Sequence, residues 1–131
     1  YEVASYAREG FECKHNIAYW AGVPYLGLGI SAVTMTQNDA RRMRVQDGEV
    51  QDDLDRKQMC AEDLMMKMRM TRGVSDDELF AAAVVIPGAL DVFNSLVRDK
   101  LVKREDGRWK PTFGGWLLGN ELYGRIYELA P

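Results

Sequence analysis

The 131-residue sequence is poor in several residue types, and each shortage excludes something. Two cysteines, Cys13 and Cys60, are too few for a disulfide framework, and with the single histidine they cannot complete a four-ligand structural zinc site. Reduced thiols are expected, with Cys13 as a small packed side chain. No apolar run approaches the roughly 18 residues of a membrane span, and no basic-then-apolar signal pattern opens the chain. A cytoplasmic protein is the expectation. Positive charge is not in excess either: 17 Lys and Arg face 20 Asp and Glu, for a formal net charge of -3. No long-range field therefore draws the chain to nucleic acid or anionic lipid.

What is present divides near residue 50. Residues 1–50 open on Tyr1-Glu2-Val3-Ala4, which reads as a strand already under way, as in a portion cut from a longer protein. Up to Thr34 the sequence is rich in glycine and aromatics, with an extended run from Tyr25 to Thr34, so a regular helix is not expected there. Residues 35 to 50, with the basic run Arg41-Arg42-Met43-Arg44 and the turn pair Asp47-Gly48, read as a loop or short hairpin.

Residues 51–131 are mainly helical by pattern. Leu54, Ala61, Leu64, Met65 and Met68 share one helix face from about Asp52 on, and Gly73 is placed to end it. Ser75-Asp76-Asp77-Glu78 fits a capping box for a helix to about Val84. Pro87-Gly88 breaks that helix, and Leu90, Phe93, Val97 and Leu101 mark the next. Strands from Leu101 to Glu105 and Arg108 to Pro111 flank the hairpin turn Asp106-Gly107, and Thr112 caps a final helix. The fold class is α+β, mainly helical, with a winged-helix-like order in its C-terminal part.

Three motifs invite chemistry. Gly27-Leu28-Gly29-Ile30-Ser31-Ala32 fits a phosphate-binding fingerprint, but β-branched Val33 and Thr34 stand where its helix must begin. The glycines are better read as places where another backbone or a ligand comes close. A DNA-reading role, with Asn94, Ser95 and Arg98 on a recognition helix and Lys103, Arg104, Arg108 and Lys110 on a wing, is opposed by Asp91 and Asp99 on that helix. His15 lies in His15-Asn16-Ile17-Ala18-Tyr19-Trp20, a polar and aromatic cluster. It is open to two readings: an axial haem ligand with aromatics over the macrocycle, or a hydrogen-bonded structural histidine.

The stretch Ala7-Arg8-Glu9-Gly10-Phe11-Glu12-Cys13-Lys14-His15-Asn16-x-x-Tyr19-Trp20, followed by Tyr25-Leu26-Gly27-Leu28-Gly29, resembles the end of the radical-SAM domain in oxygen-independent coproporphyrinogen III oxidases and their relatives. Glu62-x-Leu64-Met65-x-x-Met68-Arg69-x-x-x-Gly73-Val74 and Thr112-x-x-Gly115-x-x-x-x-Asn120 are similar to its later parts. The His-Asn-x-x-Tyr-Trp signature is that of the haem-chaperone branch, whereas Ser31-Ala32-Val33-Thr34 looks more like the oxidases.

The resemblance implies an iron-sulfur cluster and S-adenosylmethionine in the parent protein, whose cysteine triplet these residues lack. No catalytic or metal-binding residue is assigned in this chain. It further implies haem at His15, with Tyr19 and Trp20 as neighbours, and a C-terminal module that covers the active site and engages porphyrin or haem. The rest of the radical-SAM domain would be its partner, with self-association through the first strand as a further expectation. The alternative is a winged-helix module docking a protein, with nucleic acid less favoured.

Overall fold

The computed structural model describes all 131 residues. Its first regular element is a short helix, α1 (Lys14–Trp20), followed by an antiparallel meander of β1 (Val33–Gln37), β2 (Arg41–Gln46) and β3 (Glu49–Asp55) in the order β1-β2-β3. Asp47 and Gly48 join β2 to β3 with φ of 49° and 82°, the doubly positive conformation of a two-residue hairpin turn. The hairpin expectation for residues 35 to 50 therefore holds, and it extends into a third strand. Asp55 ends β3 and caps α2 (Arg56–Lys67), its carboxylate accepting from the Gln58 backbone N–H while the Gln58 side chain accepts from the Asp55 N–H. The helix expected from Asp52 thus begins four residues later, because residues 52 to 55 are paired in the sheet.

A two-residue strand, β4 (Val74–Ser75), leads into α3 (Asp76–Val85) through the expected capping box of Ser75 and Glu78. After Pro87-Gly88 come α4 (Ala89–Arg98) and the hairpin of β5 (Val102–Glu105) and β6 (Arg108–Pro111), with Asp106 and Gly107 at φ of 52° and 69°. These strands form a second antiparallel sheet in the order β4-β6-β5. Thr112 caps the closing segment as expected, accepting from Gly115 N–H at 2.9 Å. That segment is two helices rather than one, α5 (Phe113–Leu117) and α6 (Gly119–Tyr127), because Leu118 leaves the helical conformation.

The main core lies entirely in the second part of the chain. Leu64 from α2 and Met68 just beyond it, Leu79 from α3, Phe93 and Leu96 from α4, Trp109 from β6 and Leu122 and Ile126 from α6 enclose it. Phe93 meets Trp109 edge to face at 5.9 Å, the arrangement favoured by the ring quadrupoles. Residues before Ala61 add only Met35 and Leu54 to the buried apolar set. The architecture is α+β, as expected from the sequence.

Three further local expectations are overturned. Residues 1 to 4 form no strand: Glu2 makes isolated bridges to Ser5 and Met70, Val3 N–H donates to the Arg69 carbonyl and Thr71 N–H to that of Tyr1. Backbone groups that the sequence left free for another chain are thus partly bonded within this one. The run from Tyr25 to Thr34 is mostly turn, with Tyr25 bridging Met35 and the strand starting at Val33. Cys13 is exposed rather than packed, since it precedes α1 at the surface.

Candidate functional site

The glycines around residues 10 to 29 discouraged a helix, yet Lys14–Trp20 contains none of them. Gly22, at φ 75°, lies just beyond the helix end, where Ala21 and Gly22 N–H groups return to the Ile17 and Tyr19 carbonyls. A seven-residue helix with no side-chain cap and no buried residue has little stability of its own. Its neighbours hold it. Asn16 donates to the Tyr1 hydroxyl at 3.2 Å, and the Trp20 ring carries the Arg69 guanidinium 4.5 Å from its centroid.

The helical spacing sets His15 and Tyr19 on one face, and Asn16 and Trp20 on the next. His15 and Tyr19 open, with Ala18, Val23, Pro24 and Tyr25, onto a cleft of about 80 Å³. His15 is exposed and makes no hydrogen bond within the chain. Tyr19 lies 5.5 Å from Tyr25, centroid to centroid, and meets Trp20 edge-on at 5.0 Å. Partial burial, reinforced by Tyr25 and opposed by Arg44, moves the Tyr19 hydroxyl above its ordinary pKa, so it is a neutral phenol near neutral pH. Trp20 does not line the cleft; it backs Tyr19 and faces Arg69.

Beneath this cleft an ion network ties the meander to α2. Arg42, 1% exposed, donates to Glu62 Oε2 at 2.5 Å, to Asp63 Oδ1 at 2.7 Å and to Gln37 Oε1 at 2.9 Å. Arg44 donates to both oxygens of Glu62, at 2.9 and 3.0 Å. Burial pushes the Glu62 carboxyl up, but the hydrogen bonds and charges of Arg44 and Arg42 outweigh it and the net displacement is downward. The network reaches the turn after α1 as well. A Cβ at Gly22 would lie 2.8 Å from Asp63 Oδ1 and 3.0 Å from Arg42 Nη2, and Gln37 donates to the Gly22 carbonyl at 3.1 Å.

The other motifs end in structural roles. Gly27 is followed by β1 instead of a helix, and a Cβ there would lie 2.4 Å from the Val33 carbonyl oxygen, the close backbone approach expected of it. The wing cations have partners in the chain: Arg104 on Asp76, Arg108 on the Arg72 carbonyl, Lys103 and Lys110 on Glu105. No three side chains among His, Cys, Asp and Glu gather as a ligand set for a metal ion. Cys60 sits in a separate groove between α2 and α3, its thiol pushed up by burial. No helix is long and apolar enough to cross a membrane.

Sequence reasoning assigned no role to Val23 and Pro24 in the cleft wall, or to Arg69 and Tyr123 behind the helix. Val23 and Pro24 follow α1 in a turn that carries no periodic pattern, and Arg69 and Tyr123 are brought to it from distant elements by the fold.

No protein-family profile and no solved structure matches the chain. Curated bacterial proteins do. A heme chaperone HemW of Synechocystis is 47% identical over 34 residues, which is 26% of this chain and 8% of that protein. The heme chaperone HemW of Bacillus subtilis is 28% identical over 95% of this chain and 37% of its own length. That of Escherichia coli is 44% identical over 32 residues, 24% of this chain and 8% of the relative. The chain thus spans from under a tenth to little more than a third of the relatives it matches, with high identity confined to short stretches, and its likeness is to proteins named as haem chaperones.

Proposed function

We propose that this chain is the C-terminal module of a haem-handling protein of the radical-SAM coproporphyrinogen-oxidase type, on the chaperone side, and that His15 is its axial haem ligand. The observation that carries the proposal is the placement of His15: a solvent-exposed imidazole, unbonded within the chain, on the same helix face as Tyr19 and beside Tyr25. An unbonded imidazole nitrogen is a donor that haem iron takes, and the tyrosine pair gives the macrocycle an aromatic edge to lie against. Trp20 takes part through Tyr19, which it supports edge-on.

A cleft of about 80 Å³ admits the edge of a porphyrin, not the whole of it. The exposed Tyr6, Phe11, Leu26 and Leu28, all from the same part of the chain, supply further apolar surface. In the full-length parent we place the iron-sulfur cluster and S-adenosylmethionine on the rest of the radical-SAM domain, with residues 1–50 as its edge. Residues 51–131 then form the winged-helix-like cover, a reading that the helix-strand-helix-helix-hairpin order supports. The names of the relatives favour the chaperone over the oxidase.

Adding haem to the chain and following the Soret band tests the proposal. A shifted band that disappears in His15→Ala is the expected result. A variant with the same spectrum and affinity as the parent would overturn the assignment of His15.

A further inference from the structure

The helix that carries His15 has almost nothing of its own to hold it, so what holds it determines where the imidazole stands. One of the contacts that hold it is with a residue distant in sequence. Arg69 follows α2, and its guanidinium carbon lies over two aromatic rings, 4.5 Å from the centroid of Trp20 on α1 and 5.2 Å from that of Tyr123 on α6. The backbone carbonyl of Arg69 also accepts the Val3 N–H at 2.8 Å, next to the residues that hold Asn16 through Tyr1. One residue therefore joins the N-terminal segment, α1 and the closing helix.

The way Arg69 is held is unusual for a guanidinium. It forms no ion pair within 4.0 Å, and its buried Nε has no hydrogen-bond partner, nor does the buried Tyr123 hydroxyl. With no carboxylate at ion-pair distance, the faces of the two rings are the side-chain contacts that hold the cation. Arg69 thus forms a continuous line of contact from Tyr123 to Trp20, and Trp20 in turn meets Tyr19 on the face of His15.

We propose that Arg69 is a positioning residue for the haem ligand: by clamping Trp20 against Tyr123 it couples the placement of His15 to the packing of the helical part of the chain. The inference rests on the haem reading of His15, but its first test does not. In apo protein, Arg69→Gln is expected to raise amide exchange at residues 14–20 about tenfold while leaving the core amides of α3 and α4 unchanged. Arg69→Lys, which keeps a cation over the rings, is expected to restore much of the protection.

With haem added, Arg69→Gln should weaken binding about tenfold and alter the Soret band, with Arg69→Lys intermediate. Exchange at residues 14–20 equal to the parent's overturns the clamp. Faster exchange with unaltered haem affinity and spectrum overturns the coupling to the ligand. If the parent chain itself binds no haem through His15, the haem reading fails, and with it Arg69 as a ligand-positioning residue, while the exchange result still decides the clamp. Should Arg69→Gln fail to fold, Tyr123→Leu, which removes the opposite ring and its unpaired hydroxyl, is judged by the same two readouts.

Discussion

Arg42 on β2 and Glu62 on α2 form a buried ion pair, with Nη1 2.5 Å from Oε2 and side-chain exposures of 1% and 11%. It is the principal polar tie between the meander and the helical part of the chain. Arg42→Met strips Glu62, Asp63 and Gln37 of a buried hydrogen-bonding cation that reaches all three, and is expected to cost on the order of 3 kcal/mol. Urea denaturation measures this. Arg44 still reaches Glu62 in that variant, so Arg42→Met together with Arg44→Met should cost distinctly more than Arg42→Met alone, and equal costs would show that Arg44 contributes nothing.

Stability should fall in acid through two carboxylates. Burial raises the Glu78 carboxyl, but the Ser75 backbone N–H and the Lys67 ammonium outweigh it and bring it down to about 2, and Glu62 is displaced in the same direction. A group whose pKa is lower folded than unfolded stabilises the fold fully above its unfolded value, here the ordinary 4.5, and loses that contribution as pH falls through the folded value. Thermal melts between about pH 6 and about pH 2 should show this decline, and Glu78→Gln should flatten part of it. An unchanged pH profile in that variant would be inconsistent with the assignment.

Gly115, at the start of the closing segment, has no room for a side chain. A Cβ there would lie 2.0 Å from the Leu101 carbonyl oxygen, backbone that cannot move aside without displacing β5. Gly115→Ala is expected to destabilise by about 3 kcal/mol or more, visible as a lowered thermal midpoint. Gly124→Ala is the control, because nothing lies within 4 Å of its added Cβ, and it should be neutral or slightly stabilising.

His15→Ala separates ligand binding from folding. The side chain is exposed and unbonded within the chain, so the thermal midpoint of the apo protein should stay within the range of an ordinary surface substitution, about 0.5 kcal/mol. The haem-dependent Soret shift should vanish. Loss of folding in this variant would mean that His15 has a structural role instead.

Much of the second half of the chain was legible in advance. The capping box at Ser75, the break at Pro87-Gly88, the Asp106-Gly107 hairpin and the Thr112 cap each follow from residues within four positions of one another, and local hydrogen bonding and steric limits act at that range. The first half was less so. The same Asp52-to-Asp55 stretch that suits a helix start is paired in β3, since the charges of β2 find their partners there and on α2.

The identity of the candidate ligand face was local too: His15 and Tyr19 share a side of any helix they form. That they form one, and where it points, was decided by the tertiary structure. Lys14–Trp20 is too short to be helical by its own propensity, and residues far along the chain supply its stability: Arg69 beneath Trp20, Tyr123 beneath Arg69, and the Arg42–Asp63 pair against Gly22. The sequence by itself determined the caps, the turns and the histidine proposed as ligand. Only the packing of distant elements determined that this imidazole faces solvent beside two tyrosines, because a marginal helix takes its position from the surfaces that its other side meets.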